Sequence, residues 1–561
     1  NGFGPGGNLT IAASESATLS QDSSVQSSSG LSGAGGSVSI TTPRLTLNQS
    51  SVSTAAFASG NAGNIDIAVD HLDITSGFIT SDASVTASGA AGTISISAAQ
   101  DISMKNSGSA LERPRISSST FGDGNAGSIT LTTKKFTLND AVVDTHTLGG
   151  KGSAGTITVN VNQLLLQNGG SLASDVGQDA SGKGGSIEVT ASDSISIQGE
   201  SPTLAGFNSG ISSGTLGAGS AGQISVKTPN LSIDGGTITA STAIGNGDAG
   251  AIAIQAGEIS LSHQGNIQVA TLGEGNGGSL RVTADKITID GSGQGVFHTG
   301  ISTQAQGSGA GGDVHLTARD LELRSGGLVT AKSTGIGKAG TLTFDIKETL
   351  GLTDSSILTN AELSAGGNID IQVGHQLLLQ NSTITSSANG VTPTDNGGNL
   401  TIARPQFLII NNSDILARAN AGNGGNITLA AEFFLQSADS TISASSKRGL
   451  DGRIVIDSPH QVTGTINVLE LPPLDISELL RERCAAAAFE ERSSFTVEGQ
   501  SGLPLRPGDF LSSPVTLTPP ATKKPGGTTG TSSFRGGSFL CPGSMQKHKT
   551  TAYEPHSRNI R

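Results

Sequence analysis

Gly63-Asn64-Ile65-Asp66-Ile67-Ala68-Val69-Asp70-His71-Leu72-Asp73-Ile74 is the stretch that decides the fold. Apolar residues alternate from Ile65 to Val69 and again at Leu72 and Ile74. That period of two belongs to strands and not to a helix. The glycine-led opening recurs at Gly7, Gly36, Gly92, Gly127, Gly155, Gly185, Gly222, Gly250, Gly278, Gly312, Gly340, Gly367, Gly398, Gly425 and Gly452. Most intervals are 27 to 31 residues. A period in this range marks a solenoid.

Each repeat reads as two clear strands and a weaker, Ser/Thr-rich third, separated by Asp, Asn, Ser and Gly turns. One such coil cannot close a core. Stacked on its neighbours it buries Ile, Val and Leu against their counterparts, and backbone groups pair between coils. The expected fold is all-β, a parallel β-helix of about sixteen coils, right-handed by the preference of parallel crossovers. At about 4.8 Å per coil the rod spans roughly 75 Å. The recurrent glycine is expected to supply positive φ at a sharp corner.

Three intervals are longer, 35, 37 and 34 residues from Gly92, Gly185 and Gly278, and they fall at every third coil. Each ends in a similar phrase, Arg115-Ile116-Ser117, Phe207-Asn208-Ser209-Gly210-Ile211 or Phe297-His298-Thr299-Gly300-Ile301. The extra residues are expected to project as loops from one edge, around 106–122, 199–216 and 291–306. Loops on a rigid scaffold are where binding concentrates. The candidate binding residues are therefore Arg113, Arg115, Ile116, Phe207, Asn208, Ile211, Phe297, His298 and Ile301.

Composition narrows function. Aromatics are 3%, with one tyrosine and no tryptophan, which argues against stacked aromatic sugar platforms. The net charge of −13 makes nucleic acid an unsuitable partner. Residues 521–561 hold seven Lys or Arg and one acid. No apolar run is long enough for a transmembrane helix. Residue 1 is Asn and no signal peptide is visible, so the sequence reads as a processed product or a fragment.

The strand pattern fades after Ile456 and breaks at Leu471-Pro472-Pro473. Residues 1–473 read as the β-helix. Residues 474–499 read as a short helix and cap, opened by the capping-box phrase Asp475-Ile476-Ser477-Glu478. Residues 500–561, rich in Pro, Gly and Thr, read as a flexible basic tail. Cys484 and Cys541 admit two readings, one disulfide or two free thiols.

No catalytic set is evident. Asp66, Asp70 and Asp73 belong to an ordinary coil, and no second histidine or Asp-Asp pair joins Glu112, Arg113, Arg115 or His298 in sequence. The reading is a non-enzyme without cofactor or metal. Asp123-Gly124-Asn125 and Asn246-Gly247-Asp248 are similar to calcium turns, but the nine-residue calcium repeat is absent, and ordinary turn chemistry accounts for them.

The stacked Gly-Asn-Ile-x-Ile coils resemble exported proteins of the filamentous haemagglutinin type, secreted by the two-partner route, and long cyanobacterial members in particular. The phrase Cys484, Ser493-Ser494-Phe495-Thr496-Val497-Glu498-Gly499, Gly502-Leu503-Pro504 and Pro507 is similar to the end segment of that group. The tail after about Pro520 departs from it. The resemblance implies export through an outer-membrane partner pore, an extracellular or outer-surface location, and a role in adhesion, aggregation or coating. Cell-surface glycans or other cells would be the partners. A β-helix polysaccharide lyase or hydrolase is the alternative, and a focused cleft of three or more acids and bases with shifted pKa values would favour it. A passive surface coat is a third reading.

Overall fold

A computed structural model describes residues 4–464, apart from 31–32, 58, 85–87, 111–112 and 294–297. The chain divides into two units, Asn1–Leu469 and Glu470–Arg561. The expected C-terminal helix, the tail, Cys484 and Cys541 lie outside the described residues. So does Phe297.

The first unit is an all-β parallel solenoid, with no α-helix among the described residues. Its strands form two main sheets, here called A and B, of 22 and 15 strands. Each coil pairs in parallel with the next. Ile65 aligns with Val38 on one side and Ile94 on the other. Coils are numbered 1 to 16 from their opening glycines, Gly7 to Gly452.

The two strands expected at the start of each coil merge in many coils into one long bent strand. Ile65–Thr75 is an example. Ile65, Ile67 and Val69 face inward, then Leu72 and Ile74, with Asp70 and His71 both outward between them. That slip of one position carries the inward face around a corner. Sheet B takes the third strand, such as Phe78–Ala83, and closes the coil. The interior is a continuous column of Ile, Val and Leu at or near zero exposure.

The opening glycines do not have positive φ. Their requirement is space. A Cβ on Gly63 would lie 2.1 Å from the carbonyl oxygen of Gly36, and one on Gly155 would lie 1.7 Å from that of Gly127. The glycines form a column of close backbone approaches, and each would-be Cβ points at the coil before. Buried hydroxyls of sheet B satisfy many of the same carbonyls. Ser81 donates to Gly63 at 2.7 Å and Ser174 to Gly155 at 2.7 Å.

The asparagine after the glycine also has a task. Asn64 Oδ1 accepts the Thr93 N–H, and Asn399 Oδ1 accepts that of Arg453's predecessor in the ladder, Asn426, each at 2.9 Å. Each spans one coil to the equivalent position of the next. Asp123, Asn125 and Asp248 likewise accept backbone N–H groups one coil on. Positive φ appears at a different corner, between sheets A and B, at Gln49, Ser76, Asp140 and Asn168 among others.

Candidate functional site

The extra residues of coils 4, 7 and 10 occupy the same corner, after the sheet A strands that end at Lys105, Gln198 and Asp290 and before the sheet B strands that begin at Arg115, Gly210 and Gly300. They are shorter than expected. The phrases after 114, 209 and 299 are strand. Ile116, Ile211 and Ile301 are therefore not loop residues. They are fully buried at the inward position of sheet B, and their side chains cannot meet a partner.

The first two loops do not project separately. Asp140 of coil 5 sits at the left-handed corner with φ 51° and is nearly inaccessible. Its carboxylate accepts from Ser201 Oγ at 2.7 Å, Thr203 Oγ1 at 2.6 Å and Asn106 Nδ2 at 2.7 Å. Arg113 Nε pairs with it at 2.9 Å. Burial works against this charge, but the bonds from Thr203, Ser201 and Asn106 and the Arg113 cation outweigh it and hold the carboxyl below its ordinary range. Arg113 also donates to the Gly169 carbonyl at 2.7 Å, and its guanidinium lies 5.1 Å from the centre of the Phe207 ring. One buried aspartate thus ties two loops three coils apart into a single wall.

That wall bounds a groove of about 800 Å³ over the outer face of sheet B. The groove continues into a second space of about 540 Å³ that shares His146, Asp175 and Gln268 with the first. Arg113, Phe207 and Asn208 stand on the loop side, and Arg115 lies on the floor. His298 is exposed and is not among the lining residues.

A charged network occupies one end of the floor. Asp144, almost fully buried, takes Arg115 Nε at 2.5 Å and Ser119 Oγ at 3.3 Å. His146 lies between two carboxylates, with Nδ1 3.9 Å from Asp144 and Nε2 3.6 Å from Asp175. Asp175 accepts the Gly214 N–H at 2.6 Å and Ser212 Oγ at 2.8 Å. Burial disfavours the imidazolium, but Asp144 and Asp175 outweigh it and raise His146 above 6.5. Burial also disfavours the Asp175 carboxylate, but His146, Gly214 and Ser212 hold it below its ordinary range. Asp82 differs. Burial pushes it up to about 6, against the Ser119 N–H and with the help of the Asp144 charge. It lines a side pocket between Phe57 and Phe121.

Asp82, Asp144, His146 and Asp175 were not singled out from the sequence, although a signal exists. Aligning coils on the inward residue of the third strand (Ile79, Ile116, Val143, Leu172) places Asp82 and His146 at one outward position, with Asp175, and Asp144 two residues before His146. Among the described residues no group of three or more His, Cys, Asp or Glu is arranged to hold a metal. Likewise no described helix is long and apolar enough to cross a membrane.

Comparison of the chain with protein-family models, curated proteins and solved structures gives no match in any of the three.

Proposed function

We propose that this protein is an exported surface rod whose sheet B groove engages extracellular polymers, an adhesin in the broad sense. The observation that carries the reading is the wall built on Asp140, which fixes two loops beside a groove on an otherwise regular solenoid. Burying a carboxylate and a guanidinium costs solvation, and ordinary coil closure does not require it. A rigid wall with a floor of outward side chains is how a binding face is held in place. The resemblance of the repeats to two-partner secreted proteins supplies the surface location. A stiff rod would carry the groove away from the cell, and many copies would sum weak contacts into avidity.

The test is antibody detection of the rod on intact native cells before and after protease shaving, with deletion of 107–112 and 202–206 as the second step. Surface signal lost on shaving, and adhesion lost on deletion, support the reading. A protein confined to the cell interior sinks it.

A second reading, glycan cleavage, is favoured by the cluster of Arg115, His146 and Asp175 on the groove floor, all with shifted pKa values, and by Asp82, which is held toward its protonated form within reach of the Asp144 charge. New reducing ends released from a polysaccharide, and abolished by Asp82→Asn, would establish it. Asp144 itself is buried and committed to Arg115 and Ser119, which fits a structural ion pair better than a reacting carboxylate.

A further inference from the structure

We infer that the ligand of the sheet B groove is an uncharged, extended polysaccharide of β-1,4 type, lying along the rod with about one sugar per coil. The inference rests on the groove reading above. Its test is made on the purified chain, so it succeeds or fails separately from surface location.

Every charged side chain lining the groove is compensated from within the protein. Arg113 is paired with Asp140, Arg115 with Asp144, and His146 lies between Asp144 and Asp175. Among the described residues no lining cation is left over for a uronate, sulfate or phosphate, so a polyanion would lose its hydration without a partner. The uncharged floor mixes hydroxyl and amide groups, such as those of Ser212, Thr239 and Gln268, with apolar Phe78, Val142 and Ala173. The polar groups match sugar hydroxyls, and the apolar ones match ring faces.

The lining runs from Phe78 of coil 3 to Gln268 of coil 9. Six rung steps of about 4.8 Å give roughly 29 Å. A rung is close to the rise of one sugar in an extended β-linked chain. An extended peptide advances about 3.3 Å per residue and drifts out of step within a few coils.

The rim opposite the loop wall has a two-coil rhythm. Thr147, Val176, Thr215, Thr242 and Thr271 stack in register at the end of sheet B. The residue after each is Leu148, Gly177, Leu216, Ala243 and Leu272. The rim therefore alternates large, small, large, small, large over coils 5 to 9, and the alternation starts after Phe121 of coil 4, a further large residue in the same column. Its three leucines are 42%, 53% and 48% exposed, which a solenoid core does not explain. In an extended β-1,4 chain each sugar is flipped relative to the last, so like faces return at every second sugar. Leucines at alternate rungs would meet the apolar ring faces, and the gaps at Gly177 and Ala243 would admit the hydroxymethyl groups between them.

The experiment is calorimetric titration of the full chain with cello- and chito-oligosaccharides of two to eight sugars. Maltohexaose, polygalacturonate and a proline-rich peptide are the comparison ligands. The expected result is binding of the β-1,4 series that strengthens up to about five or six sugars and changes little with salt. Leu216→Asp should weaken it at least tenfold. Ala243→Leu, which keeps the rim apolar but removes its alternation, should do the same. Both sites are at the surface, and unchanged far-UV dichroism and melting would establish that the variants fold. Binding unaltered by Ala243→Leu would overturn the rhythm argument. Preference for polygalacturonate or the peptide, or no binding of any β-1,4 chain, would overturn the ligand class.

Discussion

At the scale of single residues, the repeat glycine is a matter of distance. Gly155→Ala would drive a Cβ into the Gly127 carbonyl, a backbone atom that can move only by parting two coils. The expected cost is about 1–3 kcal/mol or more, typical of overpacking. Gly351 is the control, because a Cβ there meets nothing within 4 Å and its φ is not positive. Gly351→Ala should be neutral or stabilise by about 0.5–1 kcal/mol through the unfolded chain. Urea unfolding of the two variants decides between a steric and a merely compositional role for the repeat glycine. Asp82 gives a pH prediction. Its folded pKa, about 6, lies above the ordinary 3.8. The folded state holds more proton between those values, so stability falls as pH rises through that window. His146, also raised, adds a loss as pH rises through its own folded pKa. Asp82→Asn should remove roughly 1–3 kcal/mol of this pH dependence. Melting curves from pH 4 to 8 that keep the wild-type slope in the variant would reject the assignment.

At the scale of elements, Asp140 joins the loops of coils 4 and 7. Asn tolerates left-handed φ, so Asp140→Asn keeps the corner but leaves the Arg113 guanidinium without its carboxylate. An unpaired buried charge costs about 3–5 kcal/mol, enough to release the wall while the coils stay stacked. Faster hydrogen exchange confined to 106–114 and 199–209, with protected sheet strands, is the expected readout. Loss of protection throughout the rod would mean that Asp140 supports the core instead. This element also shows where sequence reading stops. The coils were legible because alternation and glycine spacing are local patterns repeated many times. The loop corner was legible from interval length, and Arg113, Arg115, Phe207 and Asn208 do face the groove. Ile116, Ile211 and Ile301 were misplaced because the loops end before them, and their apolar side chains complete the core. Asp140 and the Asp144–His146–Asp175 network were not seen. Their partners lie one or two coils away, and only the exact stacking of the coils brings them together.

At the scale of the whole molecule, the described unit is a stack of near-equivalent coils, and that permits a test in which fold and binding separate. Each coil contacts mainly its neighbours, so removing one whole coil should leave a shorter rod with intact interfaces. Residues 340–366 form coil 12, outside the groove. Deleting them brings Gly367 to the place of Gly340 and should shorten the rod by about 4.8 Å while leaving glycan binding unchanged. Residues 222–249 form coil 8, which contributes Ala243 to the rim. Deleting them should be equally harmless to folding, because Gly250 follows in the same phase. It also removes Thr237 and Thr239 from the floor and sets Leu216 against Leu272 with no small rung between. Restoring the count with an added copy of a coil from outside the groove would not restore the rhythm unless it carries a small residue at the rim. The expected outcome is that both deletions melt within a few degrees of the parent and only the coil 8 deletion loses the β-1,4 chain. If instead either deletion unfolds the rod, the coils are not independent units. If both bind alike, recognition does not depend on the register of the rim.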